Sequence, residues 1–316
     1  MLSKVRNWLS VSENRAPASV IAKLTARNAN DQMKASRAEL VTSYSEVPEA
    51  FKEFALFADG QEFPYTVHTP AYEIFIRRTT EKLICDFGHE IYVLEKSGTG
   101  FDAQCYPIDR ISYVEVTTFL LISRIKIYGV TKDGVSNSST LKFSSLTDYL
   151  FTPILQRMRH APVDLSSLPL RSELEKFDPW RGVNFKFMNY AKRSLRADEK
   201  VVDTILQPEI RETIIQFLGK AYERVIAPTL ACILTDRELI MIQEEKHWGG
   251  EDKYGGIWDY IPLNKIMSLS LNEQDKNLLE LSIQLTEGTH LEYLFQRSAK
   301  RDINRLQYHF QELMIT

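Results

Sequence analysis

A short phrase that occurs twice in this chain limits its fold more than any other feature. Tyr106-Pro107-Ile108-Asp109-Arg110-Ile111 returns as Tyr260-Ile261-Pro262-Leu263-Asn264-Lys265-Ile266, with proline, an aliphatic residue, Asp or Asn, a base and isoleucine in the same order. Each copy leads into two alternating apolar-polar runs, a polar strand-like run and a closing amphipathic segment. From Pro107 to Pro262 is 155 residues, and from Ser145 to Ser298, where the closing segments begin, is 153. Offsets that agree over such a distance indicate an internal duplication. The chain therefore reads as two copies of one module.

Its 316 residues, 44% of them hydrophobic, are enough for two cores. A net charge of -3 argues against a nucleic-acid-binding protein held by charge, which needs a concentrated basic surface. Three cysteines, Cys85, Cys105 and Cys232, are an odd number spread over both modules, the usage of a reduced, cytoplasmic protein without disulfides. Cys85 and Cys232 stand in apolar runs and read as small buried hydrophobes. The Cys and His residues show no metal-ligand spacing, and no cofactor is implied. No apolar run approaches the roughly 20 residues of a membrane span, and the start has no secretory apolar core. The expected place is the cytoplasm, with peripheral contact to the inner face of the membrane as the alternative.

Residues 1–60 read as a helical extension. Leu2, Val5, Trp8 and Leu9 share one helical face, and the flanking bases are too few for a membrane anchor, so a helix packed on its own domain is expected. Aromatics at helical spacing between Pro48 and Ala58 predict a helix ended by Asp59-Gly60. The next domain, 61–160, predicts strands at 72–77, 82–87, 91–96, 103–108, 111–118, 123–129 and 140–143, and then a helix opened by Ser145 with Asp148 as its capping partner. Leu146, Tyr149, Leu150, Ile154 and Met158 form that helix's apolar stripe, and Pro153 marks a bend or break in it. Proline and serine make 161–184 a linker. The domain 185–316 predicts a strand-like lead-in at 199–208, a helix at 209–218, strands at 224–234, 238–243, 258–263, 266–271, 278–286 and 290–296, and a last helix from Ser298 striped by Ile303, Leu306, Phe310 and Met314. Burial is expected for Trp258.

The run Cys232-Ile233-Leu234-Thr235-Asp236-Arg237-Glu238-Leu239-Ile240-Met241-Ile242, followed by Ile261-Pro262-Leu263-Asn264-Lys265-Ile266, resembles bacterial pleckstrin-homology-like (PH-like) domains. The first copy, Asp86-Phe87-Gly88-His89-Glu90-Ile91, keeps only the hairpin logic of that run. The resemblance implies an α+β, mainly β chain with two PH-like sandwiches, each capped by a C-terminal helix. Its motifs speak for fold rather than activity.

No nucleophile-base pair, carboxylate pair or phosphate-cradling glycine loop stands out, so a non-enzymatic binding role is expected. The glycine-rich loop 246–257 carries Trp248, Lys253 and Tyr254, aromatic and basic groups suited to a partner surface; the bland alternative folds them back on the sheet. Two basic groups suit anionic lipid headgroups: Arg77, Arg78 and Lys82 in the first copy, and Lys192 and Arg193, with Arg196 and Lys200, in the second. A solvated face explains each group as well. The expected function is an adaptor that binds another protein, with peripheral binding to anionic lipid as the alternative and an unrecognised enzyme third.

Overall fold

The structure, a computed structural model, describes residues 36–57, 62–74, 77–160, 168–197, 199–217, 220–244, 255–274 and 278–315. The segment carrying Leu2, Val5, Trp8 and Leu9, and the turn at Asp59-Gly60, lie outside them. The first unit begins with β1 (Glu39–Val41), β2 (Tyr65–Thr69), the two-residue strands β3 (Glu73–Ile74) and β4 (Arg77–Arg78), β5 (Lys82–Asp86), β6 (Glu90–Ser97) and β7 (Gly100–Pro107). There follow β8 (Ile111–Phe119), β9 (Ile122–Val130), β10 (Ser136–Ser144), a 3-10 helix (Ser145–Phe151) and α1 (Thr152–Met158). Two short helices, α2 (Arg171–Glu175) and α3 (Phe185–Ser194), lead to β11 (Val201–Gln207), β12 (Ile210–Phe217), β13 (Lys220–Ala227), β14 (Leu230–Thr235), β15 (Glu238–Gln243) and β16 (Gly255–Pro262). The chain ends with β17 (Ile266–Gln274), β18 (Leu278–Leu285), β19 (His290–Gln296) and α4 (Lys300–Ile315). It is mainly β, in antiparallel sheets, and closes on a helix.

The repeated phrase folds the same way twice. Pro107 (φ -57, ψ 135) and Pro262 (φ -59, ψ 137) each end a strand and precede a 3-10 turn. Proline fixes φ and has no N–H to donate, so the ladder stops where it stands. Each following strand then slips register by one residue, between Ile111 and Tyr113 and between Ile266 and Ser268. Glu90 pairs with Pro107 as Glu238 pairs with Pro262. Ile108 N–H donates to the His89 carbonyl and Leu263 N–H to that of Arg237, both at 3.0 Å. The two turns also touch, since Lys265 Nζ donates to the Asp109 carbonyl.

What joins the units is one seven-stranded sheet, ordered β10-β9-β8-β16-β15-β14-β11, in which β8 of the first unit pairs with β16 of the second. Strand side chains alternate between faces, so each cross-strand row belongs to one face. One row runs Thr204, Ile233, Ile240, Tyr260, Val114, Ile127, Ser139 and is apolar through its middle. Helices α2 and α3, with Phe177, Trp180 and Phe187, cover its second-unit half, and the β1-β2-β5-β6-β7 sheet covers the rest through Val67, Ile84, Val93 and Tyr106. The opposite row runs Ile205, Cys232, Met241, Asp259, Glu115, Lys126, Thr140. Its apolar end is buried under β17–β19 and α4. Each unit thus packs on a different face of the shared sheet.

Several expectations are corrected. Residues 209–218 are not a helix: β12 pairs with β13 as a two-stranded ribbon. Ile210, Thr213 and Ile215 are β-branched and favour strands, and Arg211–Glu223 and Arg224–Glu212 pairs tie the ribbon across. The 224–234 run is two strands divided at Pro228, and 72–77 is reduced to the hairpin β3–β4. Between 44 and 57 stand three separate 3-10 turns rather than a helix, which seat Phe51 and Phe54 on the outer face of β5 and β6. Ser145 makes no capping box: its hydroxyl donates to the Leu120 carbonyl, Leu146 and Tyr149 are exposed, and Phe151, stacked on Phe143, takes their place in the core. Pro153 lies in the first turn of α1. Within the stretch read as linker, 168–184 is folded, with Phe177 and Trp180 buried. Trp258 is half-buried against Tyr190, and Met314 is exposed, whereas Ile303, Leu306 and Phe310 form the buried stripe of α4. The row Leu279, Leu281, Ile283, Leu285 is wholly buried, as its alternation predicts, and Cys85 and Cys232 are buried too.

Candidate binding surfaces

Of the residues singled out by sequence, Trp248, Lys253 and Tyr254 lie outside the described residues. Arg77 and Arg78 form β4, paired with Glu73 and Ile74. Lys82 opens β5 and pairs with Glu95 at 2.8 Å. Lys82 and Glu95 line a cleft of ≈ 420 Å³ with Arg124, Lys126, Thr140 and Lys142. Lys192 and Arg193 are not among its lining residues; on α3, Lys192 is held by Asp178 at 2.6 Å and Arg193 is exposed. Arg196 is buried and Lys200 exposed. The structure therefore gathers the first basic group around new partners, from β9 and β10, and disperses the second.

An apolar patch escaped sequence reading. Leu120 and Leu121 form the β8–β9 turn, 56% and 49% exposed, and Leu146 and Tyr149 stand 48% and 68% exposed on the following 3-10 helix. In a 3-10 helix positions three apart eclipse, so Leu146 and Tyr149 share a side. Ser145 fastens turn to helix, its N–H donating to the Leu121 carbonyl at 3.0 Å and its hydroxyl to that of Leu120 at 3.1 Å. Leu120 sits at φ 49, a left-handed backbone that leucine rarely adopts. Beside the patch runs β10, laddered on one side only among the described residues.

Charges are buried where the units meet. Arg159, just after α1, sends Nε to both Glu238 oxygens at 3.0 and 3.3 Å and Nη2 to the Ser194 carbonyl at 2.7 Å. Its guanidinium lies 3.9 Å over the Tyr260 ring. Glu199 is 3.6 Å from Arg159 and accepts from Arg196 N–H at 2.8 Å. Arg196 Nη1 donates to the Arg159 carbonyl. Burial, and then the charge of Glu238, hold Glu199 well above the usual carboxylate range. Burial alone would lower Arg159, but Glu238, Tyr260 and Glu199 outweigh it and keep the guanidinium charged. Asp259, directly opposite Glu115 in the β16–β8 pair, is pushed up to about 7 by burial, although the Tyr293 hydroxyl donates to it at 2.8 Å. A charge inside an apolar run, as in Arg237-Glu238-Leu239 or Trp258-Asp259-Tyr260, is the signal that could have found these groups.

Among the described residues, no group of three or more His, Cys, Asp or Glu side chains is placed to hold a metal ion, and no helix is long and apolar enough to cross a membrane. No protein-family model matches the chain, and a search of curated proteins finds no match.

Proposed function

We propose that this chain is a non-enzymatic adaptor built of two PH-like units, and that it holds a partner protein through the patch of Leu120, Leu121, Leu146 and Tyr149. The patch carries the reading: four large apolar side chains are fixed in solvent by a backbone-anchored turn, and apolar groups clustered in this way mark interaction sites. Aromatic anchors in such patches supply much of an interface's energy. The partner should present an apolar surface of its own, and the adjacent edge of β10 offers it a strand to extend. The PH-like description is supported by the order of four strands, three strands and a helix that recurs in both units. The test captures partners with the intact chain and with Leu121→Ser/Tyr149→Ser, then measures the purified pair. A patch-dependent partner that binds about tenfold more weakly to the variant supports the reading; capture that ignores the substitutions sinks it.

One observation favours a second reading, peripheral binding to anionic lipid. The cleft around Lys82 adds Arg124, Lys126 and Lys142 to the basic residue expected there. Co-sedimentation with anionic vesicles that salt abolishes, and that Lys82→Gln/Lys126→Gln weakens, would support it. No sedimentation at low ionic strength would remove it.

A further inference from the structure

The seam between the units holds an open cleft of ≈ 380 Å³, and its lining is cationic. Arg159 and His160 come from the end of the first unit, Arg196 from the connection, and Arg237 from the β14–β15 turn. The carboxylates that balance the two buried arginines, Glu199 and Glu238, are not among the lining residues. The one acid in the lining, Asp236, accepts from Lys200 N–H at 2.9 Å. The cleft wall therefore presents three guanidiniums and an imidazole against a single engaged carboxylate. The C-terminal end of α4 lies there too, worth about half a negative charge, which does not offset three full cations.

His160 supplies an independent observation. It follows the C-cap of α1 at φ 56, the place where helices end on glycine or asparagine because other side chains are strained there. A histidine kept in a glycine backbone is a cost to the fold, and such strain gathers at functional positions. Its pKa is lowered, first by burial and then by Lys265 and Arg196, which reports the positive field at that point.

We propose that the seam cleft binds a phosphate monoester, with the phosphate between Arg237, His160 and the inner arginines and the organic part against Leu313 and Met314. Guanidinium forks match phosphate oxygens in pairs, and a doubly charged group answers the excess of cations better than a single carboxylate. Arg237 is suited to move onto a ligand, since it is exposed and its turn is held by backbone contacts: its N–H donates to Thr235 Oγ1 at 3.1 Å and its carbonyl accepts from Leu263. Because the lining comes from both units, a bound phosphate would tie them together. This site is separate from the apolar patch.

Titration of the full chain with phenyl phosphate and inorganic phosphate, followed by calorimetry and by the His160 imidazole signal in NMR, tests the proposal. Saturable binding is expected, together with a rise in the His160 pKa, because a dianion stabilises the imidazolium. Arg237→Ala should weaken binding about tenfold. His160→Gly should also weaken it while leaving the fold equally or more stable, since glycine suits the left-handed backbone. Competition with vesicles containing phosphatidic acid separates the sources: vesicles that displace phenyl phosphate assign the group to a lipid, and vesicles that do not assign it to a soluble ligand. Absence of saturable binding, or binding unchanged in both variants, overturns the proposal.

Discussion

Arg159 and Glu238 are 79 residues apart in sequence and share hydrogen bonds inside the seam between the two units, with side chains 6% and 1% exposed. Removing one partner of such a pair strands the other charge in a dry site, which costs about 3–5 kcal/mol. Arg159→Ala and Glu238→Ala should each lower the urea midpoint accordingly. The double variant should lose clearly less than the two losses combined, because the stranded charge is then gone. Additive losses would mean that the pair is not a unit.

Asp259 makes stability depend on pH in a defined direction. Its folded pKa of about 7 lies above the model value of 3.8, chiefly through burial. The folded state therefore holds a proton that the unfolded chain releases. The resulting stabilisation is complete below the unfolded value and is lost as pH rises through about 7. Melting temperatures at intervals from pH 5 to pH 8 should show this fall in the native chain, by on the order of a few kcal/mol. Asp259→Asn keeps an acceptor for Tyr293 and should flatten the profile in that window.

Gly129 is required by the bulge at the start of β8. A Cβ there would stand 2.5 Å from the Arg110 carbonyl oxygen and 3.0 Å from the Ile111 Cα, both backbone atoms. Gly129→Ala should cost about 1–3 kcal/mol, as overpacking does. Gly100→Ala, which meets nothing within 4 Å, should stay within about 0.5 kcal/mol of the native chain. Denaturant midpoints of the two variants decide it.

The turn at Leu120 and Leu121 separates backbone strain from patch chemistry. Leu120 is at φ 49 and Leu121 is not left-handed. A left-handed backbone costs a leucine about 1–2 kcal/mol, which glycine avoids. Leu120→Gly should therefore be more stable than Leu121→Gly by about 1 kcal/mol. Equal thermal stabilities would show that the turn relaxes in solution.

Particular residues show how far sequence reading reaches. Leu279, Leu281, Ile283 and Leu285 alternate so cleanly that only one register buries them, and all four are buried. The Pro107 and Pro262 phrases marked equivalent strand ends because proline acts locally. Misreadings came where local signals conflict. Glu209 to Leu218 mixes good helix formers with isoleucines, and pairing with 220–227 resolves it as strand. Among the binding candidates, Lys82 reached a cationic cleft, but Arg124, Lys126 and Lys142 had drawn no notice, because they alternate on β9 and β10 like any solvated strand residues.

By itself the sequence determined the duplication, most of the order of strands and helices, and which face of each strand is apolar, since these follow from periodicity and from residues that act on their own backbone. Only the tertiary structure decided that β8 and β16 join the units into one sheet, that Arg159 crosses the seam to Glu238, and that the Leu120 turn stays in solvent. Ladder hydrogen bonds are made by backbone groups that every residue but proline carries, so the meeting of two strand edges leaves little trace in the letters. Whether an arginine is buried or solvated is likewise fixed by what packs around it, and for Arg159 that is a carboxylate from the other unit.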